Sequence, residues 1–283
     1  MFHAKLRNLC LVSSILLSTV SGAYATDLES LRAANSVRIA TAEGMPMSGL
    51  GTDGKITGYS GDLVRKVFDA LGVKNIEPIV LDYQGMIPGL QADRWDMVAA
   101  GLDMTAARCK VVLYTHPVVI NPEGFAVKKG NPKHIHGHDD FVKNPSLILA
   151  VIAGSSQASY ARNVRKVPPA QILEVPTERG IVDAVIAGRA DAGATGLSGI
   201  ELMTANDNDS KVVEPLKLED VPSSAAGFLF RKKDKALRDA FDAELDKLRA
   251  SGELSKLAAK WGTSNELEKL KTVRRADIMP GCE

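Results

Sequence analysis

The stretch Met86–Cys109 reads MIPGLQADRWDMVAAGLDMTAARC: an apolar run that delivers Gly101, Asp103, Thr105 and Arg108 in quick succession. A guanidinium is a planar fork of donors that meets a carboxylate with two parallel hydrogen bonds, so Arg108 is the first candidate for holding an anion. The competing reading is a surface arginine paired with Asp103 or with a helix end. Gly154-Ser155-Ser156, before a polar helix predicted from Gln157 to about Val164, is a second candidate. N–H groups and hydroxyls at a helix start can seat a carboxylate, and serine there is also an ordinary N-cap. For a positive group the available partners are the acids Glu43 and Asp103 and the ring of Tyr83.

Other groups suggest chemistry less strongly. Asp96 and Asp191 sit at predicted strand starts, where turn or capping roles are expected. His134, His136 and His138 in HIHGHDD would share a face for zinc only in an extended segment, and a surface loop after Gly130-Asn131-Pro132 is the expected form. No metal site is assigned. No Ser–His or Cys–His spacing and no G-x-S-x-G turn is present, so no catalytic residue is named.

These residues need elements to position them. Leu63, Val64, Val67, Phe68 and Leu71 recur at helical spacing, with Gly72 as a C-cap. Short apolar strands are predicted at 37–42, 79–81 and 147–152, with helices at 85–92 and 179–187. Leu237, Phe241, Leu245 and Leu248 stripe a late helix, broken by Gly252 before a shorter one with Leu254, Leu257 and Trp261. Alternating strands and helices predict an α/β protein with parallel sheets covered on both faces.

An internal echo divides the chain. Residues 90–101 (LQADRWDMVAAG) and 185–196 (VIAGRADAGATG) share Arg-x-Asp followed by a small-residue strand, aligning Arg94 with Arg189, Asp96 with Asp191 and Gly101 with Gly196. GFAVKK (124–129) and GFLFRK (227–232) also match, and as an antiparallel pair they would carry the chain between two lobes. The expected lobes are 26–122 with 226–283, and 123–225. Ligands of open α/β sheets sit beyond the carboxyl ends of the strands, which places Gly101-Leu102-Asp103 opposite Gly154-Ser155-Ser156 across a cleft.

The N-terminus bounds the compartment. Lys5 and Arg7 precede the apolar run Leu9–Val20, and Ala23-Tyr24-Ala25 completes a secretory leader over 1–25, with the mature chain starting at Thr26. The run is too short and serine-rich for a good membrane span. Without the leader, 33 basic residues face 34 acids, with no basic stripe to hold nucleic acid. Of three cysteines, Cys109 and Cys282 remain after processing. In an oxidising compartment two such thiols most often pair, and the long loop would stabilise the fold by roughly 4–5 kcal/mol. The alternative is two buried free thiols.

From Ser36 to Trp261 the chain resembles the periplasmic solute-binding proteins of polar amino-acid ABC importers. The resemblance is carried by GYSGDLVRKV, GMIPGLQADRWDMVAAGLDMTAAR, Tyr114-Thr115-His116-Pro117, AGSSQ and LRASGELSKLAAKWG. Within that family IPGLQADRWDMVAAG, Arg108-Cys109, KKGNPK and GRADAGATG look most like the ectoine/hydroxyectoine-binding branch. The resemblance implies a two-lobed type II fold with two hinge strands. It also implies an arginine at 108 that clasps a ligand carboxylate, helped by the backbone at Gly101 and a hydroxyl at or near Thr105. Family binders carry an acid near 196, where Thr195-Gly196 stands here. The ectoine branch has a box of aromatics, of which Tyr83 matches one, Met47 and Asp103 replace others, and Glu43 is displaced by about one residue. The implied ligand is a small carboxylate-bearing zwitterion: an ectoine-like solute, an amino acid or a derivative, with room for an added positive charge at Asp103.

The expected function is the extracytoplasmic binding component of an ABC importer: a periplasmic monomer without cofactor, delivering solute to an inner-membrane permease. The alternatives are a dehydratase-type enzyme on the same fold, with Glu43 or Asp103 as general acid, and a ligand-sensing partner of a receptor.

Overall fold

The computed structural model describes residues 26–219, 221, 223–263 and 267–282. The leader expected over 1–25 lies outside the described residues. Among those described, no helix is long and apolar enough to cross a membrane.

The chain opens with α1 (Leu28–Ala34), β1 (Ser36–Thr41), a small hairpin of β2 (Gly49–Leu50) and β3 (Ile56–Thr57), α2 (Gly58–Leu71), β4 (Asn75–Val80), α3 (Tyr83–Gln91), β5 (Met97–Val98), α4 (Ala106–Cys109) and β6 (Val112–Tyr114). The predicted apolar face of α2 is buried, and Gly72 caps it at φ 82° with its N–H on the Phe68 and Asp69 carbonyls. β4 begins earlier than the sequence suggested. Its polar residues and Pro78 are accommodated because it forms the sheet edge, where no ladder hydrogen bond is lost.

After β7 (Val119–Asn121) the second lobe follows: β8 (Glu123–Lys128), α5 (His138–Lys143), β9 (Leu149–Ile152), α6 (Ser156–Ser159), a π-helical turn over Tyr160–Val164, β10 (Ile172–Val175), α7 (Glu178–Ile186), β11 (Ala192–Gly196), α8 (Leu197–Met203), α9 (Asp207–Ser210) and β12 (Val213–Lys217). The chain returns through β13 (Ser224–Ala226) to β14 (Leu229–Arg231), α10 (Lys235–Ala250), α11 (Glu253–Trp261), α12 (Leu267–Leu270) and α13 (Arg275–Ile278). On α10, Phe241 packs edge-on or tilted against Phe68, Phe228 and Phe230, with centroids 5.6–5.8 Å apart.

The two five-stranded sheets have orders β4-β1-β5-β14-β6 and β10-β9-β11-β8-β12. They correspond strand for strand, which explains both sequence echoes. Asp96 accepts the Arg38 N–H at 2.9 Å while its own N–H reaches the Arg38 carbonyl. Asp191 repeats this on Ile148, also at 2.9 Å. Both aspartates tie a strand start to its parallel neighbour.

GFAVKK and GFLFRK are equivalent, but they do not pair with each other. β8 inserts antiparallel beside β11 in one lobe and β14 beside β5 in the other. The hinge pair is β7 with β13, in register Ser224↔Asn121, Ala225↔Ile120 and Ala226↔Val119. The expected hinge strands were thus displaced by a few residues, because each echo segment satisfies its backbone inside its own sheet. Both faces of each sheet are covered by apolar side chains. Cys109 and Cys282 form a disulfide across 173 residues, with Cα atoms 4.8 Å apart, and it pins the tail to the first lobe.

Candidate functional site

The site lies where the carboxyl ends of β1, β5, β9 and β11 face each other across the β7–β13 hinge. Its central compartment, about 60 Å³, is lined by Met47, Tyr83, Gly101, Asp103 and Thr195, all expected there, and by Glu178, Gln157 and Asn121, which were not. Gly101 adopts φ 68°, and a Cβ there would lie 3.1 Å from Met47 Cγ. Glycine is required both for that backbone and for the Met47 side chain to lie over it. Gly196, its sequence echo, is at φ −60° and carries no such requirement.

Arg108 is half-buried and bridges the lobes. Its Nη1 donates to the Asp103 carbonyl at 2.8 Å and its Nη2 to the Gly154 carbonyl at 2.9 Å. It therefore meets the second lobe at the residue directly before the serine pair. These bonds use two of the five donors a guanidinium carries. The Tyr114 hydroxyl donates to the same Asp103 carbonyl at 2.9 Å, fixing the loop from the sheet side.

The other expected residues divide. Thr105 caps α4, accepting the Arg108 N–H at 3.3 Å, and faces a neighbouring chamber instead of the central compartment. Ser155 is buried with its hydroxyl accepting the Ala158 N–H, so it serves as a cap. The helix it caps is one four-residue turn running into the π-helical turn, shorter than the polar helix predicted. Ser156 turns toward the first lobe and donates to the Asp103 carboxylate. Glu43 is exposed, with its carboxylate against Gly49, and lines an outer compartment of about 20 Å³.

HIHGHDD is neither extended nor a loop throughout. His134 sits in a turn at φ 51°, Asp140 accepts the His136 and Gly137 N–H groups, and His138 begins α5 with its ring against Phe125 and Tyr160. Among the described residues no group of three or more His, Cys, Asp or Glu is placed to hold a metal.

Glu178 is the principal residue that sequence reasoning missed. As the first residue of α7, after the Thr177 cap, it lines the central compartment, the Glu43 compartment and a third of about 40 Å³. Thr195 Oγ1 donates to its Oε1 at 3.1 Å. A carboxylate thus stands beside Thr195-Gly196 although the strand itself carries no acid. Burial, and then the Asp103 charge, hold the Glu178 carboxyl above the usual range. Burial does the same to Asp103, opposed by Ser156, Arg108 and Gln157. The Tyr83 hydroxyl, 3.2 Å from the Ala100 carbonyl, is raised by burial and by Glu178 and Asp103 and lowered by Arg108. Tyr83 shares the central compartment with Glu178 and Asp103.

Gln157 joins the lobes below this point. Its Nε2 is 3.2 Å from Asp103 Oδ2 and 3.0–3.1 Å from both oxygens of Glu123, the first residue of β8. Glu123 is buried and its carboxyl is pushed up to about 7, by desolvation first and then by Asp103.

Two facing α/β lobes, a two-stranded hinge and a charged cleft between strand ends define a two-lobed binding-protein fold. The family model for bacterial extracellular solute-binding proteins, family 3, matches residues 37–264, and the chain belongs to that family. The probable amino-acid ABC transporter periplasmic-binding protein y4tE of Sinorhizobium fredii is 32% identical over 85% of this chain and 81% of its own. The lysine/arginine/ornithine-binding periplasmic protein of Escherichia coli K12 is 24% identical over 87% of this chain and 92% of its own. Among solved structures, EhuB in complex with hydroxyectoine superposes with a TM-score of 0.82 at 35% identity, covering 89% of this chain and 96% of that one. AncCDT-1, an ancestral amino acid-binding protein and precursor of cyclohexadienyl dehydratase, gives 0.73 at 27% identity, covering 83% and 98%. The chain is a solute-binding protein of the ABC-importer type.

Proposed function

We propose that the solute is a small zwitterion held by its two ends between the lobes. Its carboxylate meets Arg108 from the first lobe, and its positive group meets Glu178 from the second, with Tyr83 and Asp103 beside it. The observation that carries this reading is that Arg108 of the first lobe reaches the second at the Gly154 carbonyl, while Glu178 of the second lobe lines the central compartment together with Tyr83 and Asp103. A ligand stabilises the closed form only through differential contacts, and a zwitterion spanning that pair makes contacts that exist only when the lobes are together.

The cleft acids favour a localised ammonium over the delocalised cation of an ectoine. Met47 and Asp103 offer no ring face, whereas Glu178 and Asp103 are point acceptors. An amino acid or derivative is therefore the preferred class, in keeping with the names of y4tE and the E. coli relative. The lobes are taken as 26–122 with 226–283, and 123–225, turning about β7 and β13. The protein acts as a monomer in the periplasm after removal of its leader, and it presents the closed form to a permease without chemical change to the solute.

A thermal-shift screen of the mature chain against ectoines, betaines, proline derivatives, amino acids and opines tests the class, since ligand far above its Kd raises stability by a few kcal/mol. No shift with any zwitterion overturns the proposal. Recovery of the hit unchanged after long incubation separates a binder from a dehydratase.

A further inference from the structure

Two carboxylates carried by different sheets meet beside the hinge. Asp103 follows β5 of the first sheet, and Glu123 opens β8 of the second. Asp103 is partly buried and Glu123 is buried. One nitrogen reaches both of them: Gln157 Nε2 lies 3.2 Å from Asp103 Oδ2 and 3.0–3.1 Å from the two Glu123 oxygens. The Ser156 hydroxyl donates to Asp103 as well, and Ser224 of the hinge strand β13 stands beside both acids. The pair lines a chamber of about 390 Å³ whose walls come from both lobes, the hinge and Met279 of the tail.

The donors that answer this pair are neutral. Among the described residues no lysine or arginine lines the chamber. Arg108 of α4 spends its side-chain hydrogen bonds on the Asp103 and Gly154 carbonyls, not on a carboxylate. The other titratable groups around the pair are Glu178 of α7 and Tyr83 of α3 in the central compartment, Tyr114 of β6 on the Asp103 carbonyl, and His138 of α5 and Tyr160 on the chamber wall. Amide and hydroxyl donors satisfy carboxylate oxygens without changing their charge, so two like charges held this close are relieved by a proton on one of them. Burial raises both carboxyls, and Glu123 stands at about 7 against an ordinary 4.5, with Asp103 as the second cause.

We propose that Asp103 and Glu123 form a proton site that exists only while the lobes are together, so that closing the cleft takes up one proton whatever the solute. This goes beyond the zwitterion reading and does not depend on it. With the lobes apart, Gln157 no longer spans the two acids, water reaches both, and each ionises in the ordinary carboxylate range. The closed form then holds the proton more tightly than the open one. Closure is favoured most below about pH 4.5, and that advantage is lost as pH rises to about 7. Across this window the ratio of closed to open protein is expected to fall about tenfold per pH unit, the effect of one linked proton.

Small-angle X-ray scattering of the intact mature protein without solute, taken across that window and above it, reads the ratio, with circular dichroism checking the fold at each pH. The radius of gyration is expected to be small at the acid end and to grow as pH rises. Glu123→Gln and Asp103→Asn each remove one charge and keep the shape of the side chain, and both are expected to stay compact throughout. A constant radius in the parent overturns the proposal. So does either variant that keeps the parent's profile or is extended at every pH. If Glu178→Gln abolishes the change while Glu123→Gln and Asp103→Asn retain it, the proton belongs to Glu178 and the pair is not the site.

Discussion

Arg108 of the first lobe donates to the carbonyl of Gly154 in the second at 2.9 Å, so the residue expected to clasp the solute also ties the closed lobes together. Ser156 and Gln157 make the same crossing to Asp103. On the proposed reading closure and recognition share side chains, and a solute that engages Arg108 and Asp103 acts directly on the contacts between the lobes.

Replacing Arg108 by alanine is expected to weaken solute binding by at least about 2 kcal/mol, because a buried carboxylate loses its charged partner. Calorimetry on the folded variant with the screened solute measures it. Unchanged affinity would remove Arg108 from the site.

Glu178→Gln keeps the shape of the side chain and its contact with Thr195 but removes the charge. Affinity for an ammonium-bearing solute is expected to drop about 10- to 100-fold, the worth of a charge-assisted hydrogen bond. The thermal midpoint of the ligand-free protein should not fall, since burial already disfavours the ionised form.

The Glu123 carboxyl stands at about 7 against an ordinary 4.5. An acid whose folded pKa exceeds its unfolded value stabilises the fold most at low pH, and that contribution is lost as pH rises through the folded value. Asp103, Glu178 and Asp242 are raised in the same sense, so the comparison must be with Glu123→Gln. The stability of the parent relative to that variant is expected to decline between about pH 4.5 and about pH 7, read from urea unfolding. A flat difference contradicts the burial of Glu123.

The disulfide closes a loop of 173 residues and anchors α13, where Arg275 also reaches Asp242 and His116. Reductant is expected to lower the melting temperature, by an amount corresponding to at most roughly 4–5 kcal/mol in the chain-entropy model. Identical melts with and without reductant would show that the bridge adds nothing to stability.

Phe241 is fully buried among Phe68, Phe228 and Phe230. Phe241→Ala is expected to destabilise the first lobe by about 3–5 kcal/mol, the usual effect of emptying so large a core position. Chemical denaturation provides the measure.

Much was legible in the chain because it depends on local periodicity. The helical stripes of α2 and α10, the repeated Arg-x-Asp corners and the polar cluster after β5, with Gly101 and Asp103, all follow from residue spacing, whereas Met47 was suggested by the family resemblance and Tyr83 by its ring. The hinge was less legible: β7 and β13 are three residues each, too short for a pattern, and their pairing joins segments about a hundred positions apart.

What the sequence determined by itself was the class of fold and the side of each sheet that carries polar groups, with Arg108 as the cation proposed for the site. What tertiary structure decided was the company those groups keep. Glu178, Gln157 and Glu123 lie on elements whose local sequence reads as ordinary helix and strand starts, and they become site residues only when the second lobe is folded over the first. Contacts across a cleft are set by how two sheets are oriented about a hinge, and no spacing along the chain encodes that orientation locally.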